Sequence, residues 1–385
     1  MIPQIGVSNV YYPSWPSAAR VQYQFPAHAR LPCDYAQRSA SSPTSVHRLR
    51  PGDIDVVAAL GDSLIAGNGA MEEYAAGTFF EHRGVSWCAG GQATWRQFMT
   101  LPNILKEFNP RLRGYSTGQG EYHAPNSRLN VAFPVAADEN LLQQARILVA
   151  RMRKDPSIDI ANHWKLVTIL IGANDLCSSQ CFNSTANTGE QHALQLRRAL
   201  DYLQRHLPRT LVSLVSVPDV LISRRVETTF MCRLLHRLFC RCYHRGQTPA
   251  DIWRLVREYQ AAEEQLALSG LYDTRPDFTV VFQPFMQVLN APWSEASSGQ
   301  FKLAPIDQTF VTFDCFHFSQ KGHAMMANLY WNNLLEPVGN KTRDSKDGRE
   351  RSLQKLLHRF VCPTQRTPYI FTNENSERFF RTGHQ

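Results

Sequence analysis

The sequence predicts an α/β protein in which a mainly parallel sheet is covered by helices on both faces. Two observations lead there. Short apolar runs of strand length, several of them valine-rich, are closed by glycine or other turn residues, and they alternate along the chain with segments of helical period. A chain of 385 residues that is 43% hydrophobic and 11% aromatic can bury a large core, which favours one sizeable domain with tails over two small ones.

Residues 1 to about 50 are rich in Pro, Ser, Tyr and Ala without a sustained period, and the linker-like "SASSPTS" lies near their end, so they read as an irregular N-terminal extension. The first strand is expected at residues 56–60, "VVAAL", halted by Gly61. Further strands are expected at "RLNVAF" from Arg128, "LVTILIG" from Leu166, "TLVSLVSV" from Thr210 and "FTVVFQPF" from Phe278. Leu141, Leu142, Ala145, Leu148, Val149 and Met152 recur at helical spacing and form one apolar face between strands. Another helix begins at Lys321 in "KGHAMMANLYWNNLLEPVG" and stops before Pro337 and Gly339. The main domain therefore covers residues 51–340. Residues 341–385 form a mixed-charge tail that Cys362 can pin back, and no internal repeat is present.

A formal charge of +8 suits an anionic interface. Part of the excess lies in "SRRVETTFMCRLLHRLFCRCYHR", residues 223–245, read as a solvated helix or loop with Leu234, Leu235, Leu238 and Phe239 packed inward, or else as a lipid-facing surface. Neither this segment nor the basic tail carries a reader motif, so no nucleic-acid partner is expected. Nine cysteines leave at least one unpaired within the chain. The rest read as disulfides of an oxidising compartment, because Cys177, Cys181, Cys232, Cys240 and Cys242 make no pair of C-x-x-C ligands for zinc. Sequons at Asn183 and Asn340 fit a secretory route. The N-terminus lacks a charged start followed by an apolar core, so the chain is expected to be a fragment or to lack a first exon. No stretch reaches the ~18 apolar residues of a membrane span, and no lipid-anchor signal closes the chain.

The chemistry gathers in four stretches. "ALGDSLIAGNGA" puts Ser63 just past the first strand, "RGVSWCAGGQATW" holds Gly90 and Gly91, "ILIGANDLC" ends a strand in Gly172-Ala173-Asn174-Asp175, and "FDCFHFSQKGH" sets Asp314 three residues before His317. Open α/β sheets bind ligands at the carboxyl ends of their strands, where all four can converge. Asp62 or Ser63 alone could be no more than a helix cap. Gly67 and Gly69 are not followed by the Lys-Ser or Lys-Thr of a phosphate loop.

Four such blocks in this order resemble the GDSL, or SGNH, hydrolases over residues 51 to 340, the letters of the second name falling on Ser63, Gly91, Asn174 and His317. "TLPNILKEFNP" and "WNNLLEPVG" extend the likeness to the animal phospholipase B branch. The resemblance implies a flavodoxin-like three-layer α/β/α sandwich that removes acyl chains from phospholipids and lysophospholipids, with combined phospholipase A and lysophospholipase activity and no cofactor or metal. Ser63 is then the nucleophile and His317 its base. The backbone amides of Ser63 and Gly91 and the side-chain amide of Asn174 are the oxyanion donors, with Gly90 the rival of Gly91. Asp314 is the favoured acid and Asp175 its competitor. His323 reads as a surface or packing residue, and Asp62 as a bond to loop backbone. The alternatives are a carbohydrate or small-ester deacetylase of the same fold and a non-catalytic lipid-binding protein. The expected partner is lipid at a membrane or micelle surface, with no obligate protein partner, and the expected location is extracellular or at the cell surface.

Overall fold

The computed structural model describes residues 19–33, 38–226, 229–302, 307–343 and 359–382; the stretch read for a leader lies, up to residue 18, outside them. In chain order the regular elements are β1 (Ile54–Gly61), α1 (Ser63–Ala66), α2 (Leu101–Phe108), α3 (Leu141–Lys154), β2 (Trp164–Leu170), α4 (Gly189–His206), β3 (Thr210–Val215), α5 (Ile222–Arg225), α6 (Phe230–Phe239), α7 (Pro249–Leu268), β4 (Phe278–Gln283), α8 (Trp293–Ser298), α9 (Gln320–Leu334) and α10 (Asn373–Thr382).

The four strands pair in parallel in the order β1-β2-β3-β4, and every strand residue is buried. Alternate side chains of a strand point to opposite faces, so each run feeds two cores. Val57, Leu166, Leu211 and Val215 pack with α2 and α9 on one face. Val56, Ala58, Val167, Val212 and Val280 pack with α3 and α4 on the other. This is the three-layer α/β/α arrangement, and it explains strands that are apolar on both sides.

Residues 128–133 do not form the expected fifth strand. Arg128 takes a positive φ of 50° and Pro134 has no N–H to continue a ladder, so the segment makes one parallel bridge, Ala59 with Asn130, beside β1. Ala59 N donates to Leu129 O at 3.1 Å and Val131 N to Ala59 O at 3.0 Å. The outer edge of β1 is thereby covered by a loop, which blocks pairing with another chain.

The predicted face of α3 is also corrected in one position. Leu142 is only half-buried, and Gln144 lies in the buried face instead. Its Oε1 accepts from Gly61 N at 2.7 Å and its Nε2 donates to Gly61 O at 2.8 Å. Gly61 itself tolerates no side chain: its φ is +154° and a Cβ would stand 2.2 Å from Leu170 O. A helix side chain thus completes the hydrogen bonding of the strand end that leads into Ser63.

Past residue 340 the chain returns to the body. Phe360, Val361, Ile370 and Phe371 are buried, Trp331 Nε1 donates to Val361 O at 2.7 Å, and Cys33 is joined to Cys362.

Replacing Gln144 by Leu fills the space but leaves Gly61 N–H unpaired in the interior, while Gly61 O keeps the bond it accepts from Phe133 N at 3.3 Å. The expected loss is about 1 to 3 kcal/mol of unfolding free energy, the usual cost of one orphaned buried group, read from urea midpoints. An unchanged midpoint would show that the strand end finds other partners.

Candidate active site

β1 ends at Gly61, Asp62 caps α1 by accepting from Leu64 N at 2.9 Å, and Ser63 is the first residue of that helix. Buried Asp62 has its carboxyl pushed up to about 7 by desolvation, against the pull of the Leu64 amide. The sharp strand-to-helix turn presents Ser63 at the carboxyl edge of the sheet.

His317 comes from the loop before α9, which is closed by Thr312 N donating to His317 O at 2.9 Å. Its Nε2 lies 2.8 Å from Ser63 Oγ, and its Nδ1 lies 2.6 Å from Asp314 Oδ2. The three-residue spacing lets Asp314 fold back on its own loop, where Oδ1 accepts from Phe316 N at 2.9 Å and His317 N at 3.0 Å. Two hydroxyls complete its shell: Thr312 Oγ1 donates to Oδ1 and Thr78 Oγ1 to Oδ2, each at 2.5 Å. Burial alone would raise the Asp314 pKa, but His317 and the two threonines override it and hold the carboxyl well below its ordinary range. With the Nδ1 proton facing Asp314, Nε2 is the acceptor for the Ser63 hydroxyl.

Asn174 stands just past β2, whose Leu170 pairs with Gly61, so its loop borders the Ser63 turn. One amide proton goes to Ala136 O at 2.9 Å, which leaves the second for another acceptor. Gly91 differs from its expected role: its N–H donates to Ser116 O at 2.8 Å, and that of Gly90 donates to Ser86 O at 2.9 Å. Each backbone amide has one proton, and both are committed inside the protein. His323 is fully buried and accepts from Trp87 N at 3.3 Å; desolvation, followed by His317 and His82, pushes its pKa down to about 3. It is a packing residue and does not reach the surface.

Asp175 is turned away from His317. Its Oδ2 accepts from Asp138 N at 3.1 Å, and Asp138 in turn meets His192 Nδ1 at 2.8 Å. His192 is fully buried, stacked on Tyr259 with ring centroids 4.2 Å apart, and its Nε2 lies 3.3 Å from Glu263. Burial would lower the His192 pKa, but the two carboxylates raise it to about 10, so it carries a charge at neutral pH. Asp175 moves up to about 8, first through burial and then through Asp138. Gly172 passes directly over this pair, since a Cβ there would meet His192 at 3.2 Å and Tyr259 at 3.3 Å. The network supports the loop that presents Asn174.

Thr78 and His192 escaped the sequence reading. No local spacing ties Thr78 to Asp314, 236 positions away. His192 did leave a signal, because it interrupts the apolar stripe of Leu196, Ala199 and Leu203 on α4.

Three disulfides bind residues 223–245 to the site. Cys232 is joined to Cys315, next to Asp314, while Cys177 and Cys181, just past Asn174, are joined to Cys240 and Cys242. All five zinc-candidate cysteines are thereby used, and Cys88 is buried and unpaired. Within this segment Leu235 packs inward as expected, but Leu234 faces out, Phe239 is half-buried against Phe79, and the Leu238 side chain lies outside the described residues. The inward reading of Leu234 fails because the buried face of α6 is held by Cys232, Leu235 and His236, which leaves position 234 on the opposite side.

Two substitutions separate the carboxylates. Asp314→Asn keeps the shape and removes the charge facing His317, so turnover on an acyl ester should fall about 10⁴-fold, as it does in a serine protease triad. Asp175→Asn mimics the protonated carboxyl and should leave turnover within about tenfold. Its effect lies in stability. A folded pKa of about 8 against an ordinary 3.8 means that folding takes up a proton. That contribution is full below about pH 4 and is lost as pH rises through about 8. The pH slope of unfolding free energy across this window should flatten by up to one proton in Asp175→Asn. A dead Asp175→Asn enzyme beside an active Asp314→Asn one would reverse the assignment.

The chain's residues 57–330 match the family model for GDSL-like lipase/acylhydrolase. It is 38% identical over 364 residues to phospholipase B1, membrane-associated, of Rattus norvegicus, covering 92% of this chain and 24% of the relative. For the protein of that name from Mus musculus the figures are 40% over 354 residues, 89% and 23%, and for that of Homo sapiens 39% over 355 residues, 90% and 23%. The chain thus spans about a quarter of the length of these relatives. Among solved structures, a putative GDSL-like lipase from Parabacteroides merdae is 15% identical, with a TM-score of 0.38 over 74% of this chain and 96% of its own. Four sequence blocks, a parallel sheet that brings Ser63 to His317, and the family-model match over residues 57–330 have one conclusion: the protein belongs to the GDSL-like lipase/acylhydrolase family.

Proposed function

We propose that this chain hydrolyses acyl esters of phospholipids and lysophospholipids through an acyl-enzyme on Ser63, with both phospholipase A and lysophospholipase activity. The observation that carries the reading is the continuous hydrogen-bonded line from Ser63 Oγ through His317 to Asp314, at 2.8 and 2.6 Å. The likeness to the phospholipase B1 proteins supports the lipid substrate.

In this reading Ser63 Oγ attacks the ester carbonyl carbon as its proton passes to His317 Nε2. The carbonyl electron pair moves onto oxygen, where the amide of Ser63 and the second amide proton of Asn174 are the donors that fit; the committed amides of Gly90 and Gly91 do not. The pair returns, the bond to the glycerol oxygen breaks, and that oxygen takes the Nε2 proton. Water then gives a proton to Nε2 and attacks the acyl carbon, and Ser63 Oγ leaves with the proton. Asp314 stays ionised and stabilises the imidazolium in both halves. A small apolar crevice of about 20 Å³, lined in part by Leu64, Val220, Val226, Leu289 and Phe316, adjoins Ser63 and His317 in the chain.

We place the protein in the secretory route, extracellular or at a membrane surface. Four disulfides support an oxidising compartment, and Asn183 and Asn340 of the sequons are both exposed. Among the described residues no helix is long and apolar enough to cross a membrane.

An organophosphonate should label the protein once, on Ser63, and labelling should vanish in Ser63→Ala. Incubation with phosphatidylcholine, lysophosphatidylcholine, triacylglycerol and an acetylated sugar should release acid fastest from the two phospholipids. A chelator should leave the rate unchanged, because the serine supplies the nucleophile and no metal-bound water is required. Faster turnover on the acetylated sugar would favour the deacetylase alternative. Full labelling of Ser63→Ala would remove the serine mechanism, and activity restored by calcium after chelation would remove its independence from metal.

A further inference from the structure

We infer that α6 and the loop carrying Phe79 form a docking face for an anionic lipid surface, built onto the mouth of the catalytic site. The inference rests on the acyl-hydrolase reading for its purpose and on separate residues for its evidence.

α6 has ten residues, about 15 Å of helix, and bridges the two loops that serve the site. Near its start Cys232 is bonded to Cys315; at its end Cys240 is bonded to Cys177, and Ser178 Oγ donates to Phe239 O. Its inner face is Cys232, Leu235 and His236. Phe230, Arg233, Leu234 and Arg237 share the outer face at helical spacing and are all exposed. Phe230 is 70% exposed and Met231 43%.

A second ridge stands beside the first. Thr78 is tied to Asp314, which forces the next residue, Phe79, outward; it is 69% exposed and meets Phe239 with centroids 6.2 Å apart. Phe80 is also exposed. Between the α6 start and the Asp314 loop lies a recess of about 310 Å³, lined in part by Ala75, Met231 and Phe313. Large apolar side chains seldom cluster in water without a partner.

Charge selects the partner. Arg225 turns inward onto Glu295 at 3.0 Å. Arg233, Arg237 and Arg241 are exposed, and among the described residues none pairs with a carboxylate. Apolar rings interleaved with unpaired guanidinium groups fit the boundary of an anionic bilayer, where the rings enter the acyl region and the cations remain at the headgroups. The disulfides hold this face in fixed register with Asp314 and Asn174, so a docked surface delivers its esters to one place.

The test uses Ser63→Ala in three forms: otherwise unchanged, with Phe230, Met231 and Leu234 all changed to Ser, and with Arg233, Arg237 and Arg241 all changed to Ser. Co-sedimentation is measured with vesicles of phosphatidylcholine alone and with added phosphatidylserine, and thermal midpoints check the fold. Both triple variants should keep their midpoints. The arginine variant should lose about 100-fold in affinity for anionic vesicles at low salt, about fivefold per cation. The apolar variant should lose binding to both kinds of vesicle. Neither experiment needs turnover, so a protein that docks but releases no fatty acid would overturn the lipase reading and leave this one standing. Vesicle binding unchanged in both triple variants would overturn the docking face, as would loss of a dimer in them with vesicle binding intact.

Discussion

A carboxylate removed from water must find its solvation within the protein, and Asp314 finds it in two backbone amides, two threonine hydroxyls and the His317 ring. Much of the site's geometry follows from that demand. The two amides are available only if the Asp314 to His317 segment folds tightly on itself, which sets the imidazole at the height of Ser63. The Thr78 hydroxyl is available only if a loop far away in sequence comes to rest against the same group. The charge thus orients His317, draws in the loop after α1, and decides which side chains of that loop face outward.

The second aspartate shows the same residue type driven the opposite way. Asp314 is buried among donors and stays ionised, whereas Asp175 is buried beside Asp138 and is pushed toward its neutral form. Pairs of acids whose surroundings separate their pKa values divide the labour of a site. The charged His192 between Asp138 and Glu263 makes the separation stable, because it neutralises the carboxylates behind the Asn174 loop and leaves Asp175 to hold backbone in place. Removing either partner of such a buried pair leaves an unpaired charge, so the support is stiff.

The parts of this arrangement that the sequence made legible are those encoded locally. β2, β3 and β4 begin within two residues of the expected starts at Leu166, Thr210 and Phe278, since uninterrupted apolar runs have few other uses. The closeness of Asp314 to His317 was readable from a spacing of three. What was missed depends on contacts across long separations or on single backbone angles. Residues 128–133 carry a strand's composition but start from an Arg128 that no strand accommodates. Gly91 sits in the expected block, yet its amide is claimed by Ser116, a partner that no pattern announces. Thr78 and the cysteine pairings lie in the same class.

Those pairings carry the last step. A ten-residue helix with an exposed apolar face has little reason to persist alone in water, since nucleation is costly and its outer face gains nothing there. α6 is held because its cysteines are bonded to residues 63 and 83 positions away, which removes much of the freedom that the segment would have when unfolded. The bonds end beside Asp314 and just past Asn174, so the strap that orders α6 also ties the Asp314–His317 pair to the loop of Asn174. Where thiols stay reduced, the segment and both loops lose that common restraint together. The organised site therefore belongs to an oxidising compartment for a physical reason as well as a compositional one: the covalent frame that shapes its mouth forms only there.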